Sequence, residues 1–533
     1  MNWRNYLSLF LFALLISGLV ALFQTSPGYM DADYYYAGGV RLAEGQGFTE
    51  EILWNYLDNP HGLPHPSHAY WMPLASLAAA LGMTITGSTG FWAGKLVFLC
   101  ITGLIAPSTA ALAYAITGRK GNAVLSGMLA AIPGFYLSYL GTIDTFGIYM
   151  LLGASWFLIL GSRRASSGWS ILSWAFGLGL VSGLFHLARA DGVIWLFISG
   201  VGVFYETVWK AGRNDLGHAR EWRALIYALV ALATGYLAIM GPWMVRNLRA
   251  FGTPLSPGGI QALWLTDYDE LYSYPPGLLT PQRWWASGLR AISDARVKAL
   301  GQNLQTALAV QGEIFLAPLI IFGLWRLRKD QRIWMGVMGW IITFGVMTLV
   351  FPLVGWRGGF FHSGAALQPL FWAAAPVGLE VFIDWGRRVR RWDYRQASRF
   401  FSMGLVALAL MLSALTVQKR VIGPSPGHPT WGSGWETYVN LEGVLRDEGI
   451  EADAIVMVNN APGYYAANQR PAISIPNGGV EVSLEAAKRY GAAILLLESN
   501  HPPGLNELYQ HPKDLPGLKY LLDFEGTRVF SIR

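Results

Sequence analysis

The sequence predicts a mainly α-helical protein: a polytopic membrane helical bundle of about eleven transmembrane helices, with a small extracytoplasmic α/β domain at its C-terminus. Of the 533 residues, 53% are hydrophobic and 14% are charged, whereas soluble domains carry about 25% charged residues. Apolar runs of about 17–24 residues recur along most of the chain, which is the length that a hydrocarbon core about 30 Å thick requires.

Composition also bounds the partners and the covalent chemistry of the chain. The formal net charge is +6, but the cations cluster beside the apolar runs, so the sequence does not indicate a nucleic-acid partner. Cys100 is the single cysteine, which excludes an intrachain disulfide. The first apolar run is longer than the 7–15-residue core of a signal peptide, and we expect it to remain as the first transmembrane helix.

Short basic linkers separate many of the apolar runs and indicate the orientation of the chain. By the positive-inside rule such linkers lie in the cytoplasm, and Arg4 places the N-terminus there too. An odd number of spans then places the C-terminus outside, in a plasma or inner membrane. The five linkers are 118–122, 161–168, 209–223, 325–332 and 385–399.

The expected spans follow from the lengths of the apolar runs and from this parity. The piece at 71–86 is short and begins beside Pro73, so we expect an interfacial or re-entrant helix there instead of a span. The spans are expected near 5–23, 92–116, 123–139, 145–160, 170–187, 192–208, 224–243, 313–327, 333–353, 366–384 and 400–417.

These spans divide the chain into two predicted domains. Residues 1–417 form the transmembrane domain, with large outer loops at 24–91 and 244–312. Residues 418–533 change character, because short apolar runs alternate with helical patterns: "ADAIVMVNN", "AAILLLE" and "TRVFSIR" are typical of strands, and "SLEAAKRYG" is typical of a helix. This alternation predicts a small α/β domain.

Ionisable and polar residues gather at the predicted outer ends of the spans. Such groups are costly near a membrane and tend to be functional, so an outward-facing polar cavity is expected. They are Asp31 and Asp33 after the first span, His61, His65 and His68 in the first outer loop, and Asp144, Arg189, Asp191, Arg246, Asn247, Arg357 and His362 at later turns.

The order of these pieces resembles the GT-C superfamily of integral-membrane glycosyltransferases, in particular the protein O-mannosyltransferase and aminoarabinose transferase branch. The resemblance covers about residues 1–417 and depends on six segments together. These are "DADYYYAGG", "HAYWMPLASLAAALG", "TIDTFG", "ARADG", "PWMVRNLRAFGTP" and "GWRGGFFHSGAALQPLFW". The departure is Ala32, where the family often has its second acid. Here that acid is Asp33.

The resemblance implies transfer of a sugar from a polyprenyl-phosphate donor to an acceptor hydroxyl on the extracytoplasmic face, with inversion at the anomeric carbon. Asp31 or Asp33 is the candidate general base. Arg246, Arg357 and Arg189, in that order, are the candidates for binding the donor phosphate. Asp144, His65 and His68 are expected near the acceptor or a metal. The sugar, the acceptor (a glycan, a lipid or a protein) and the cofactor stay open, with a divalent metal as one option.

Each candidate also has a plainer interpretation. The two acids could cap a helix beginning near Tyr34, and Asp144 could cap the helix that follows it. Arg246 could anchor the chain at the interface beside Trp243. Arg189 and Asp191 could pair across a turn. The histidines could make hydrogen bonds within their loop, since metal-ligand spacing there is a weak signal.

Two other functions compete with the transferase. A transporter or lipid flippase would show internal repeats and polar groups at mid-membrane, whereas no clear repeat is visible and the polar groups collect at one face. A non-catalytic membrane protein that binds lipid-linked sugars stays open because of the displaced acid at Asp33.

Overall fold

The computed structural model describes residues 1–162, 170–209 and 218–533. Two of the predicted basic linkers, at 161–168 and 209–223, fall mostly on residues outside these ranges. Within the described ranges, nine helices are long and apolar enough to cross a membrane, and a bent pair raises the number to ten. The chain is therefore an integral membrane protein, as its composition predicts.

The membrane-spanning helices follow the predicted apolar runs closely. Their bounds are Trp3–Ala21, Phe91–Thr117, Thr145–Ser162, Ile171–Ala188, Ala190–Trp209, Glu221–Phe251, Gln331–Val350, Pro352–Arg390 and Tyr394–Ile422. The run predicted at 123–139 is a pair of helices, Lys120–Ala131 and Gly134–Leu140, bent by 43°. The predicted short helix is observed as Leu74–Thr86.

The run predicted to span at 313–327 differs from the prediction. It forms the helix Ala317–Arg326, which has only ten residues. At 1.5 Å per residue such a helix covers about 15 Å, roughly half of a hydrocarbon core. Glu313 and Ile314 adopt positive φ values of 44° and 59°, so the helix begins only after them.

This short helix is held in place by close packing of its backbone against a neighbouring helix. A Cβ added at Gly323 would overlap the carbonyl oxygen of Ala374, and a Cβ at Gly378 would overlap the carbonyl oxygen of Leu319. The two glycines therefore let Ala317–Arg326 and Gln368–Arg390 approach within backbone contact. Small residues at a helix crossing are a common packing device in membranes, where lipid gives no hydrophobic drive for association.

The remaining helices and strands lie outside these spans. Helices outside the spans are Met30–Ala43, Pro257–Gln261, Pro281–Ala286, Gly288–Thr306, Ser433–Asp447, Ala461–Asn468, Val480–Tyr490 and Asn506–Gln510. The strands are β1 (Thr49–Glu50), β2 (Ile52–Leu53), β3 (His65–Pro66), β4 (Ile455–Val458), β5 (Ala472–Ser474), β6 (Ala492–Leu497), β7 (Leu518–Phe524) and β8 (Thr527–Ile532).

The chain divides into two compact units. The membrane unit comprises 1–22, 97–249 and 298–421, and the α/β unit comprises 23–96, 250–297 and 422–533. The α/β unit thus draws on most of both predicted outer loops as well as on the C-terminal tail. The expectation that the chain has two domains that meet near residue 418 stays a prediction.

A six-stranded mixed sheet forms the centre of the α/β unit, in the order β2-β5-β4-β6-β8-β7. Strands β2, β5, β4 and β6 are parallel, and β8 and β7 add an antiparallel edge. The predicted strands are observed as β4, β6 and β8, and the predicted helix as Val480–Tyr490. Strand β2 is the unexpected member, because it belongs to the first outer loop.

The core of this unit joins three distant segments. Leu53 and Tyr56 of the first outer loop and Tyr274 of the second pack with C-terminal residues such as Met457 and Phe530, all of them buried. The Tyr56 hydroxyl also donates a hydrogen bond to the carbonyl oxygen of Ser474. Burying these large side chains from three segments fixes the first outer loop against the sheet.

Candidate functional site

The acid pair lies in the first turn of the helix Met30–Ala43. Acids in this position are favoured by the helix dipole, but the helix begins at Met30, before the start near Tyr34 that the plainer interpretation expected. Neither acid is the N-cap, however, because Tyr29 precedes the helix and makes no side-chain cap. Gly38 and Gly39 on the same helix meet Ser76 and Ala79 closely, since a Cβ at either would lie within 2.8 Å of them.

The two acids have different environments. Asp33 is buried, and its Oδ2 accepts a hydrogen bond of 3.1 Å from the side-chain amide of Asn460. Burial raises the pKa of Asp33 to about 7, the Asn460 hydrogen bond opposes this rise, and the nearby charge of Asp31 adds to it. Asp31 stays partly exposed. Asp31 is therefore the more accessible of the two carboxyl groups.

The tyrosines after the acids hold the first outer loop in place. The Tyr34 hydroxyl donates to Glu50 Oε2 at 2.6 Å and accepts from the backbone N–H of His68 at 2.6 Å. His68 has a φ of 64°, an uncommon conformation outside glycine. Its ring nitrogens lie 2.8 Å from Ser67 Oγ and 3.1 Å from Ser76 Oγ. His68 is thus a buried hydrogen-bonding residue of the α/β unit.

The other two loop histidines lie at an open cleft. His65 Nε2 is 2.7 Å from Asp58 Oδ2, and this pair is nearly buried. His61, in contrast, is exposed. Together with Phe251 they line a cleft of about 450 Å³. His65 and His68 therefore have separate hydrogen-bonding partners.

A second polar cluster lies in the membrane unit, around His362. The ring Nε2 of His362 lies 3.1 Å from Asp144 Oδ2, and Nδ1 lies 3.0 Å from the carbonyl oxygen of Gly358. Because a carbonyl oxygen can only accept, the proton must sit on Nδ1. The Nε2 lone pair of a neutral ring would then face a carboxylate. This geometry fits an imidazolium–carboxylate ion pair, and it also fits two ligands for a cation.

Asp144 has two roles at once. Its Oδ1 accepts from the backbone N–H and, at 3.2 Å, from the hydroxyl of Thr145, the first residue of Thr145–Ser162. Asp144 therefore accepts from the first residue of the helix that follows it. Because these bonds use Oδ1, Oδ2 is directed toward His362. The helix start holds this carboxylate in a single orientation.

Asp191 contacts several polar groups at the neighbouring turn. Arg189 Nε lies 3.0 Å from Asp191 Oδ1, which is the pairing across the turn that the plainer interpretation expected. Oδ2 accepts a hydrogen bond from Ser363, and the Tyr149 hydroxyl lies 3.5 Å from Oδ1. Since Arg189 already neutralises a half-buried acid, it ranks last among the phosphate-binding candidates.

The other two arginines lie over tryptophan rings. Arg246 is 4.8 Å from the Trp243 ring centroid and donates to Asn247 Oδ1 at 3.1 Å. Arg357 is exposed and lies 4.7 Å from the Trp356 ring, which Lys298 also approaches within 4.3 Å. Two cations thus share Trp356. Such stacking orients the plane of a guanidinium.

Sequence reasoning missed two members of these clusters and one pairing. Asn460 lies in the C-terminal tail, where no catalytic pattern was visible, and Lys298 lies more than fifty positions from Trp356 in the sequence. His362 was noted as an outer polar group, but its pairing with Asp144 was not. The only available signal was the polar dipeptide "NN" directly after a strand.

Comparison with solved structures adds the fold relationship. The ArnT of Cupriavidus metallidurans, bound to undecaprenyl phosphate, superposes with a TM-score of 0.57 at 11% identity, covering 99% of this chain and 98% of that one. The fold is GT-C. The Archaeoglobus fulgidus oligosaccharyltransferase with a tethered acceptor peptide matches equally well, at 0.57 and 14% identity, over 95% of this chain and 70% of that chain.

A third similar structure is the archaeal oligosaccharyltransferase AglB from Archaeoglobus fulgidus in complex with an inhibitory peptide and a dolichol-phosphate. Its TM-score is 0.55 at 15% identity, covering 100% of this chain and 75% of that one. No protein-family model and no curated protein sequence matches the chain. The GT-C resemblance predicted from six segments is confirmed at the level of the fold.

Proposed function

We propose that this GT-C chain is a glycosyltransferase that moves a sugar from a polyprenyl-phosphate donor to an acceptor hydroxyl on the extracytoplasmic face of a membrane. The observation that carries the proposal is the acid pair at the start of Met30–Ala43, one member partly exposed and the other buried. An acceptor hydroxyl must lose a proton as it attacks, and a carboxylate is the group that takes it.

The donor class is supported by what similar proteins hold. ArnT is described with undecaprenyl phosphate and AglB with dolichol-phosphate. Both ligands are polyprenyl phosphates, so a lipid-phosphate donor is the natural choice for this chain. The sugar and the acceptor stay open, since one neighbour is described with a peptide acceptor.

In the proposed reaction Asp31 is the general base. It accepts the acceptor hydroxyl proton while the oxygen forms a bond to the anomeric carbon. The bond between that carbon and the donor phosphate oxygen breaks, and the polyprenyl phosphate leaves with the electron pair. A single displacement of this kind inverts the anomeric carbon. Asp33 is buried and its charge interacts with that of Asp31, and the greater exposure of Asp31 favours Asp31 as the base.

The leaving phosphate gains charge and needs cationic groups. Arg246 and Arg357 are the proposed partners, with Lys298 beside Arg357 across Trp356. A planar guanidinium can hold two phosphate oxygens at once. Arg189 is a weaker candidate for binding the donor phosphate because it is paired with Asp191.

A divalent metal fits one observed arrangement of this chain. The Nδ1 of His362 faces a carbonyl oxygen, which leaves Nε2 directed to the same space as Asp144 Oδ2. A histidine that ligates a metal commonly donates its other N–H to such a carbonyl. One structure of the Archaeoglobus fulgidus enzyme is described with Zn and sulfate. Asp144 and His362 would hold the ion, which would help to neutralise the leaving phosphate.

The test is turnover in liposomes with a panel of radiolabelled polyprenyl-phosphate sugars. Asp31→Asn should abolish transfer, and Asp33→Asn should reduce it. Asp267→Asn is the matched control, because Asp267 caps a helix in the same unit and asparagine caps about as well. Donors that bind without being consumed would indicate a non-catalytic protein that binds lipid-linked sugars. If Asp31→Asn lost no more activity than the control variant, Asp31 would not be the general base.

A further inference from the structure

Asn460 connects the C-terminal sheet to the acid pair. It follows strand β4 and is the N-cap of the helix Ala461–Asn468. Its Oδ1 accepts the backbone N–H of Gly463 at 3.0 Å, and its Nδ2 donates to Asp33 Oδ2 at 3.1 Å. Because the cap uses the amide oxygen, the NH2 group must face the carboxylate. The helix start therefore defines which way this amide points.

The surrounding backbone is shaped for this contact. A Cβ at Gly463 would overlap Asn460 Nδ2 and lie 2.9 Å from Asp33 Oδ2, so no larger residue fits there. A second polar contact joins the same two helices, where Arg41 Nη1 lies 3.4 Å from the Tyr465 hydroxyl. Asp33 and Arg41 are eight residues apart, about 12 Å along the helix. The helix Ala461–Asn468 therefore contacts Met30–Ala43 at two separated points.

We propose that Asn460 is a positioning residue of the transferase, and that the C-terminal α/β segment is consequently a working part of the enzyme. It holds the Asp33 carboxylate by its amide and, through Asp33, the first turn of the helix that carries Asp31. This inference rests on the proposed function. The C-terminal α/β segment thereby gains a role in catalysis, although its sequence showed no catalytic pattern.

The charge balance at Asp33 explains why an amide donor matters. Burial favours the protonated acid, and the charge of Asp31 does so as well, whereas the Asn460 N–H favours the carboxylate. Burial raises the pKa of the Tyr438 hydroxyl, and the negative charge of Asp33 adds to that rise. Without the amide, Asp33 would take up a proton more readily, and Asp31 would lose a neighbouring negative charge that makes it a better proton acceptor.

Three substitutions of Asn460 separate its two hydrogen bonds. Asn460→Ala removes both the cap and the donor. Asn460→Asp keeps the cap, removes the donor and adds a like charge. Asn460→Ser keeps a cap but is too short to reach Asp33. We expect all three to lower kcat by about 10-fold or more, the size of one lost hydrogen bond to a charged group, while the donor KM stays within about twofold.

Thr280→Ala is the matched control. Thr280 caps the helix Pro281–Ala286 in the same unit by accepting from Arg283 N–H, so the variant loses a cap without touching the acid pair. Its kcat is expected to match the parent. A residue that acted only as a cap would be replaced well by aspartate, since asparagine and aspartate cap about equally. Parental kcat in Asn460→Asp would therefore overturn the inference.

A second measurement needs no activity. The loss of thermal stability caused by Asn460→Asp at pH 8 should largely disappear in the Asp33→Asn background, because the like-charge contact is gone. An equal loss in both backgrounds overturns the inference. If the unmodified chain consumes no donor from any member of the panel, the proposed function fails, whatever Asn460 does. If transfer is observed and Asn460→Asp keeps it, only the inference fails.

Discussion

His362 lies between a carbonyl oxygen and a carboxylate, with its Nε2 3.1 Å from Asp144 Oδ2 and its Nδ1 3.0 Å from Gly358 O. This geometry predicts a metal dependence. Chelation should lower turnover and added divalent ion should restore it, and Asp144→Asn or His362→Gln should raise the ion concentration for half-maximal activity at least about 10-fold. His186→Gln is the control, since His186 is a buried histidine bonded to Tyr236 at 2.7 Å. Full turnover after chelation would exclude the metal.

The arginines over tryptophan are expected to bind the donor. Arg246→Ala and Arg357→Ala should each raise the donor KM about 10-fold, and lysine should rescue only in part because it lacks the planar fork. Arg249→Ala is the control, an exposed arginine on the same helix as Arg246. Donor titrations by initial rate would measure this. An unchanged KM in both alanine variants would argue that these residues only anchor the chain at the interface.

Asp33 should make stability depend on pH. Its pKa is about 7 in the folded chain and about 4 when unfolded, so between these values the folded state holds a proton that the unfolded state has lost. The contribution of this bound proton to the free energy of unfolding is complete below pH 4. It is lost as pH rises through 7, and the loss is about 4 kcal/mol at most. Asp33→Asn should gain in melting temperature relative to the parent from pH 5 to pH 8, while Asp267→Asn should show no such trend. A constant difference would refute the raised pKa.

The buried ion pair of the α/β unit predicts a large stability difference between two arginines. Arg470 is 1% exposed and lies 2.8 Å from Glu442, whereas Arg446 is 63% exposed and lies 3.1 Å from the same carboxylate. Arg470→Met should cost about 3–5 kcal/mol because Glu442 keeps a poorly compensated buried charge. Arg446→Met should cost less than about 1 kcal/mol. Thermal unfolding compares them directly, and equal costs would contradict the assignment.

The orientation from the positive-inside rule can be tested with cysteine labelling. In a Cys100→Ser background, an impermeant maleimide should label Glu485→Cys, in the C-terminal segment, on intact cells. It should label Arg388→Cys, in a basic linker, only after the membrane is opened. Both positions are exposed. Labelling in the reverse pattern would invert the proposed topology and place the acid pair on the cytoplasmic face.

Much of the fold could be predicted because its signals are local. The length of an apolar run predicts a span, and alternating strand and helix patterns predicted β4, β6, β8 and Val480–Tyr490. The segment at 313–327 was the exception, since hydropathy does not report the positive φ values at Glu313 and Ile314 that begin its helix late. The candidate acids could be named from the sequence because charged groups beside a span are few.

The sequence by itself determined that this chain crosses a membrane many times and carries acids and arginines beside its spans, because both depend on composition and spacing. Only the tertiary structure decided which groups meet. It put β2 of the first outer loop beside β5, directed Asn460 to Asp33, and paired His362 with Asp144. These partners lie about 220 to 430 positions apart along the chain. Pairing over such separations depends on packing that is shared by the whole chain, and no short stretch of sequence contains it.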